Sequence, residues 1–538
     1  MDAFTNEFTY KKFLESGKEE DFDRFFDLAV QKVKKEMLGK RFPMYIGGQE
    51  AFASGELVEY SPIDGSLIGY FQKGSRDDAR RAIDSAAERS LEWSRTDWRE
   101  RVSIFRKAAE IFSRDKFTIS AMMSIENGKT RYESIGEVDE AIDFLNYYSL
   151  EMERNKGYLR KTRLEASRKQ VGAGFQGAPG REERVVISMK PYGVFGVIAP
   201  FNFPVSISTG MSAGALITGN TVVFKPSSTD NMTMMTGLAI YKVFEEAGVP
   251  PGVFNYITGP GSEIGDEIVS SNKVAGIVFT GSRNTGMGMI RKTFDADRQK
   301  VFIVEMGGKN PVVVSKHANL EYAVEGIASA AFGYAGQKCS ACSRVYVHES
   351  KKEEFISKLV DKARAFKIGN PLVKENYIGP VISAVALQRY KAAVDEAKRD
   401  GKLVYGGNVV GNDKSLYVEP VIAEVEHGSR LMREELFLPF LTIDTFTDFK
   451  SAIDKANDTP YGLTAGLYSE KKAEIREFLD RIEAGVVYVN RETSATTGAI
   501  VGLHTFVGWK GSGLSGKGTG SRFYLEQFMR EQSGSVVK

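Results

Sequence analysis

The sequence predicts an α/β protein with two Rossmann-like parallel-sheet domains and a small β hairpin. After Tyr192, apolar strand-like runs alternate with helical stretches across short turns, the pattern of parallel sheets covered by helices on both faces. A second such series begins at Val301 and runs to about Asn490. Between the N-terminal helical region and these series, residues 169–188 form a glycine-rich excursion that reads as a hairpin leaving the domain body. At 538 residues the chain is too long for one core, so two or three domains are expected.

In chain order, residues 20–39 space Phe22, Phe25, Phe26, Leu28, Ala29, Val33 and Met37 as a helix does. Acids come early and lysines late there, as the helix dipole favours. Residues 44–49 read as a short strand and turn. Residues 75–155 are mostly helix, with Ala, Ile and Leu on one face and Arg, Asp and Glu on the other. The stretch 171–180 is rich in glycine, and 185–188 looks like a strand. Buried strands follow at 193–198, 221–225, 253–257 and 274–279, with a helix at 232–246. The second series includes strands at 310–315, 344–347 and 486–489. Residues 508–520 look like a loop before a closing helix.

Composition narrows the function. Hydrophobic residues make up 42% and charged residues 26%, ordinary for a globular chain. Lys plus Arg is 72 and Asp plus Glu is 70, a net charge of +2 that gives no reason to expect nucleic-acid or polybasic membrane binding. Two cysteines and four histidines exclude a disulfide scaffold and fit a reducing compartment. The N-terminal stretch has no apolar signal core, and no apolar run is long enough for a bilayer. A cytoplasmic enzyme without a metal is expected.

The chemistry centres on Cys339, in Gly336-Gln337-Lys338-Cys339-Ser340-Ala341-Cys342, and on Glu305, which precedes Gly307-Gly308. A thiol that loses its proton to a nearby carboxylate attacks a carbonyl carbon, so an aldehyde or an ester is the expected substrate. Cys339 and Cys342 also spell Cys-x-x-Cys. A redox pair leaves Glu305 and Asn202 unexplained, and zinc lacks a second cysteine pair; on spacing alone Cys342 is a core residue. Asn202 lies between Pro200 and Pro204, a rigid place for an amide that must meet an oxyanion, although turn stabilisation is the ordinary role of such an asparagine. Lys225 ends an apolar strand, where open α/β sheets bind ligands; a solvated strand-end lysine is the bland alternative. Residues 279–286 put glycines at a strand-to-helix turn with spacing G-x-x-x-x-G, about as consistent with a structural turn as with a pyrophosphate site. Residues 259–265 nearly match the dinucleotide fingerprint but read better as a tight turn.

Taken in order, Pro200-Phe201-Asn202-Phe203-Pro204, Lys225-Pro226-Ser227, Phe279-Thr280-Gly281-Ser282, Glu305-Met306-Gly307-Gly308-Lys309, Gly336-Gln337-Lys338-Cys339 and Glu434-Glu435-Leu436-Phe437 resemble the aldehyde dehydrogenase superfamily over residues 40 to 530. Within it the chain most resembles the 1-pyrroline-5-carboxylate dehydrogenase branch. The run from Gly336 to Arg344, Ala141-Ile142-Asp143-Phe144, Thr497-Gly498-Ala499-Ile500-Val501-Gly502, Met211 and the N-terminal extension agree with that branch. Val507 and Leu438 depart from it, each standing where the branch has glycine.

The resemblance implies Cys339 as nucleophile, Asn202 with the Cys339 N–H as oxyanion donors, and Glu305 as the base that hydrolyses a thioester. It implies an NAD site, with NADP possible because Ser228 replaces a carboxylate common in the family. On the cofactor side it implies Ala199, Pro200, Phe201, Lys225, Ser227, Ser228, Gly261, Gly265, Phe279, Thr280, Gly281, Ser282, Gly286, Met306, Gly307, Glu435 and Phe437. On the substrate side it implies Lys338, Ser340, Gly508, Trp509 and Phe203, with L-glutamate γ-semialdehyde favoured over aliphatic or sugar-derived aldehydes. It divides the chain into a cofactor domain (1–166 and 190–304), a catalytic domain (305–515), and an oligomerisation hairpin with its tail (167–189 and 516–538), and it implies a homo-oligomer, at least a dimer. A cofactor-independent thiol esterase and a non-enzymatic binding protein are the readings from other classes.

Overall fold

The computed structural model describes residues 4–164, 183–228, 232–294, 299–412 and 415–537. Two seven-stranded sheets dominate. The first runs, edge to edge, Val301–Met306, Val274–Gly281, Val194–Ile198, Thr221–Lys225, Phe254–Tyr256, Met44–Ile46 and Gln49–Ala51. Its first five strands are parallel, and the last two join as an antiparallel edge. Val194–Ile198, the earliest of the parallel strands, lies in the middle. The chain winds from it to one side through Thr221–Lys225 and returns on the other with Val274–Gly281. The crevice at the carboxyl ends of Val194–Ile198 and Val274–Gly281 is therefore the switch point where such sheets take ligands. Thr221–Lys225 is buried along its whole length, which explains its continuous apolar run.

The second sheet runs Lys402–Tyr405, Val421–Glu424, Phe440–Phe446, Cys342–His348, Asn310–Val314, Thr464–Tyr468 and Val486–Val489, parallel except for its first strand. The second series was expected to start at Val301. It starts at Asn310 instead, because Val301–Met306 pairs with Val274–Gly281 and completes the first sheet. Only residues 307–309 separate the two sheets in sequence. The carboxyl edge of one thus abuts the amino edge of the other, and the site forms at that seam.

Three long helices, Arg76–Arg95, Trp98–Asn127 and Arg131–Arg154, occupy the expected helical region. Ser75 and Thr130 start the first and last of them with reciprocal capping boxes, and Gly128, in the left-handed region at φ 78°, ends Trp98–Asn127.

The excursion is a three-stranded antiparallel sheet of Leu159–Leu164, Glu183–Pro191 and Met529–Val537, with Glu183–Pro191 central. The glycine-rich stretch 171–180 lies outside the described residues. The closing helix expected after residue 520 is a single 3-10 turn, Leu525–Phe528. The chain then extends as Met529–Val537, because the free edge of Glu183–Pro191 offers a complete hydrogen-bond ladder.

Candidate active site

A cavity of about 1100 Å³ opens at the seam. One half of its wall comes from the carboxyl ends of the first sheet, the other from the turn before Cys342–His348 and from the helix Arg131–Arg154. Cys339, Glu305 and Asn202, far apart in sequence, all line it.

Cys339 follows a turn in which Tyr334, Ala335 and Gly336 take φ of 51°, 50° and 67°. Two consecutive non-glycine residues in the left-handed region store about 1–3 kcal/mol of strain each, which the packing around them must hold. Gly336 has no alternative, since a Cβ there would stand 2.1 Å from the Leu438 carbonyl. The Asn310 amide pins the segment, donating to the carbonyls of Cys339 at 2.7 Å and Ala341 at 2.9 Å. Gly308 packs so closely that a Cβ would lie 2.5 Å from the Cys339 carbonyl oxygen. Asn202 is buried and donates one amide hydrogen to the Gln337 carbonyl at 3.1 Å. That bond fixes the plane of the amide and the direction of its other N–H.

Burial, with the carboxylates of Glu435 and Glu305 adding to it, pushes the Cys339 thiol up to about 12. Burial also holds Glu305 well above the ordinary carboxylate range, against a Gly508 N–H donated to Oε2 at 2.9 Å. The resting nucleophile is a thiol at neutral pH. Its alkylation by iodoacetamide is therefore expected to accelerate about tenfold per pH unit between about pH 7 and pH 9. Mass spectrometry of the labelled peptide, with Cys339→Ala as the blank, would show a plateau near neutrality if the thiol were already ionised.

The cofactor-side residues gather at the other end. Ala199, Pro200, Phe201, Lys225, Ser227, Ser228, Gly261, Gly265, Phe279, Thr280, Gly281, Ser282, Met306, Gly307, Glu435 and Phe437 all line the cavity. Lys225 is buried, pushed down to about 8 by desolvation, and its Nζ donates to the Pro226 carbonyl at 3.2 Å. Ser282 caps the helix Arg283–Lys292, whose amino end faces the cavity. A Cβ added to Gly261 or Gly265 would meet nothing within 4 Å. Glu435 accepts the Gly308 N–H at 2.9 Å and is raised to about 7 by burial. Gly307 must lack a side chain, because a Cβ would stand 2.0 Å from the Glu435 carboxylate. A buried lysine, a capped helix start, open glycine surface and a fixed carboxylate are the groups that phosphates and ribose hydroxyls require, so this half fits a dinucleotide. Gly286 is the exception. It is absent from the wall and lets its helix close on Met306, whose Sδ a Cβ would approach to 2.6 Å.

Lys338, Ser340 and Phe203 line the nucleophile's end, but two expected substrate contacts do not. The Gly508 N–H is taken by Glu305. Trp509 is half-exposed outside the cavity, where its strand pairs with Tyr461–Gly462. The two departures are also harmless to the cavity, since Val507 and Leu438 are buried and neither lines it.

Sequence reasoning missed a charged wall. Glu133, Glu137 and Glu140 share one face of Arg131–Arg154 and line the cavity together with Lys129. Lys338 donates to Glu133 at 3.0 Å. The fully buried Lys129 bonds Glu137 and lies over the Phe203 ring, 3.5 Å from its centre. Glu137 also caps the next helix through the Val205 and Ser206 N–H groups. Residues 497–499 close the opposite side, and Thr496 Oγ1 donates to the Ser340 carbonyl at 2.7 Å. The signal for the helix wall was the acids at intervals of three and four. Among the described residues, no cluster of His, Cys, Asp or Glu could hold a metal ion, and no helix is long and apolar enough to cross a membrane.

Comparison with known proteins fits this geometry. Residues 51–533 match the aldehyde dehydrogenase family. The chain is similar to 1-pyrroline-5-carboxylate dehydrogenase 1 of Halalkalibacterium halodurans, 35% identical over 518 residues that cover 95% of this chain and 96% of the relative. It is also 35% identical to 1-pyrroline-5-carboxylate dehydrogenase of a Geobacillus species over 507 residues, 93% of this chain and 94% of that one. Among solved structures it is similar to 1-pyrroline-5-carboxylate dehydrogenase from Thermus with bound NAD. The TM-score is 0.89 and the identity 31%, covering 100% of this chain and 99% of the other.

Proposed function

The chain belongs to the aldehyde dehydrogenase family, and on that premise we propose that it oxidises L-glutamate γ-semialdehyde, the open form of 1-pyrroline-5-carboxylate, to L-glutamate in proline catabolism. The observation that carries the reaction is the meeting of Cys339, Glu305 and Asn202 in one cavity beside a dinucleotide-shaped half. The Cys339 thiol loses its proton to solvent water as its sulfur bonds the aldehyde carbon. The carbonyl oxygen becomes an oxyanion and accepts hydrogen bonds from the remaining Asn202 N–H and the Cys339 N–H. NAD would be held by the residues around Lys225, Ser282 and Glu435 and would accept the hydride from that carbon, leaving the substrate as a thioester on Cys339. Glu305 takes a proton from water, the water oxygen attacks the thioester carbon, and the Cys339 thiolate leaves. A carboxylate raised by burial is the stronger base for that task. NADP tolerance belongs to the same reading: Ser228, its hydroxyl turned to the Pro226 carbonyl at 3.0 Å, presents no charge against a 2′-phosphate.

Similarity to 1-pyrroline-5-carboxylate dehydrogenases supports the substrate, and so does the charged wall. Lys129, Glu133, Glu137, Glu140 and Lys338 offer both signs of charge beside the nucleophile. A zwitterionic aldehyde can bond charges of both signs in such a wall, whereas an aliphatic one has no charge to offer it. The kcat/KM for the semialdehyde is expected to exceed that for a carboxylate-free aldehyde of equal length by well over tenfold, since each charge-assisted hydrogen bond forgone is worth about 1.5–3 kcal/mol. Equal values would leave a general aldehyde dehydrogenase. We further read a cytoplasmic homo-oligomer, at least a dimer. Among the described residues Leu159–Leu164 is an edge strand of its sheet, which supports it, because strand edges invite a partner.

A further inference from the structure

Residues 4–9 do not line the cavity but bond two elements that do. Asn6 is buried, and both bonds of its side-chain amide are directed inward. One goes to Asp143 Oδ2 at 3.1 Å, the other to the Val501 carbonyl at 2.8 Å. Asp143 belongs to the helix Arg131–Arg154 and precedes Phe144, a lining residue. Val501 follows the lining residues 497–499 by two positions. An amide nitrogen has only two hydrogens, so Asn6 commits all its donors to these walls. The neighbouring Glu7 N–H fills the other Asp143 oxygen at 2.8 Å. Phe4 packs edge-on against Tyr147 of the same helix, at 5.2 Å between centres. Gly502, at φ 79°, has no room for a Cβ beside those two rings.

We infer that Asn6 is a positioning residue for the aldehyde, fixing the distance between the acidic helix wall and the 497–499 loop across the nucleophile's end of the cavity. The inference rests on the aldehyde-oxidising reading above. Asn6 does not line the cavity, and among the described residues its side-chain bonds go to Asp143 and Val501.

The same arm provides a control. Thr9 bonds Asp139 on the same helix through its N–H and hydroxyl, both at 2.7 Å, and makes no bond to the 497–501 loop. In the full-length chain, Asn6→Ala is expected to raise the KM for glutamate semialdehyde about fivefold or more, with kcat and the KM for NAD changed less than about twofold. Thr9→Val is expected to lower the melting temperature and leave both KM values alone. An unchanged aldehyde KM in Asn6→Ala overturns the inference. So does a parallel change in both variants that follows their loss of melting temperature, because the arm would then only stabilise. If Asn6→Ala does not fold, Asn6→Asp, of equal shape but without donors, is read in the same way, and failure of both to fold also overturns it. A wild-type chain that oxidises no aldehyde overturns this inference and the functional reading together, whereas an active wild type with an indifferent Asn6→Ala overturns this one alone.

Discussion

Cys339→Ala is expected to abolish aldehyde-dependent reduction of NAD, lowering turnover by at least about 10,000-fold. The substitution removes the one atom that bonds to the carbonyl carbon. Cys342 offers no substitute: it is buried in its strand, with Sγ turned to the Arg344 carbonyl at 3.9 Å. The cofactor half of the cavity is untouched, so equilibrium binding of NAD, followed by fluorescence, should match the wild type. Reduced-cofactor absorbance above about a hundredth of the wild-type rate, more than a nucleophile's removal leaves behind, would take the nucleophile's role from Cys339.

Glu305→Gln should separate the two halves of the reaction. Glutamine keeps an oxygen to accept the Gly508 N–H, so the loop stays in place. It cannot take a proton from water. Steady-state turnover should fall by about 100- to 10,000-fold. Rapid mixing should still give a burst of reduced cofactor approaching one per site, followed by slow turnover as the thioester waits for water. Loss of the burst with NAD binding intact would show that Glu305 acts before the thioester forms, at the thiol itself.

The residues legible in the sequence are those whose local chemistry is unusual. Lys225 ends an apolar strand, Asn202 stands between two prolines, and Gly307-Gly308 follows an acid at a strand end. Each marks a turn or strand terminus, and strand termini are where these sheets bind ligands. The charged wall was not legible for a physical reason. Acids at 133, 137 and 140 look like a solvated helix face, and only the packing of Arg131–Arg154 over the seam turns that face inward. Gly508 failed differently, since residue type does not say which acceptor a main-chain N–H will find. The placement of Val301–Met306 in the first sheet and the extension of Met529–Val537 as a strand both depend on partners far away in sequence, which local periodicity does not encode.

During synthesis, the apolar cluster beneath the first sheet stays incomplete until residues 524–537 leave the ribosome. Tyr524, Leu525, Phe528 and Met529 belong to the same apolar cluster as Phe144 and Phe195. Met529–Val537 then supplies the ladder that covers Glu183–Pro191. At about 5–20 residues per second, those earlier residues wait on the order of half a minute with an open strand edge and an unfilled core. Such an interval exposes the nascent chain to association with its neighbours and to chaperones. A premature stop near residue 523 is therefore a lesion of the first sheet's core, although every strand of that sheet has already been made.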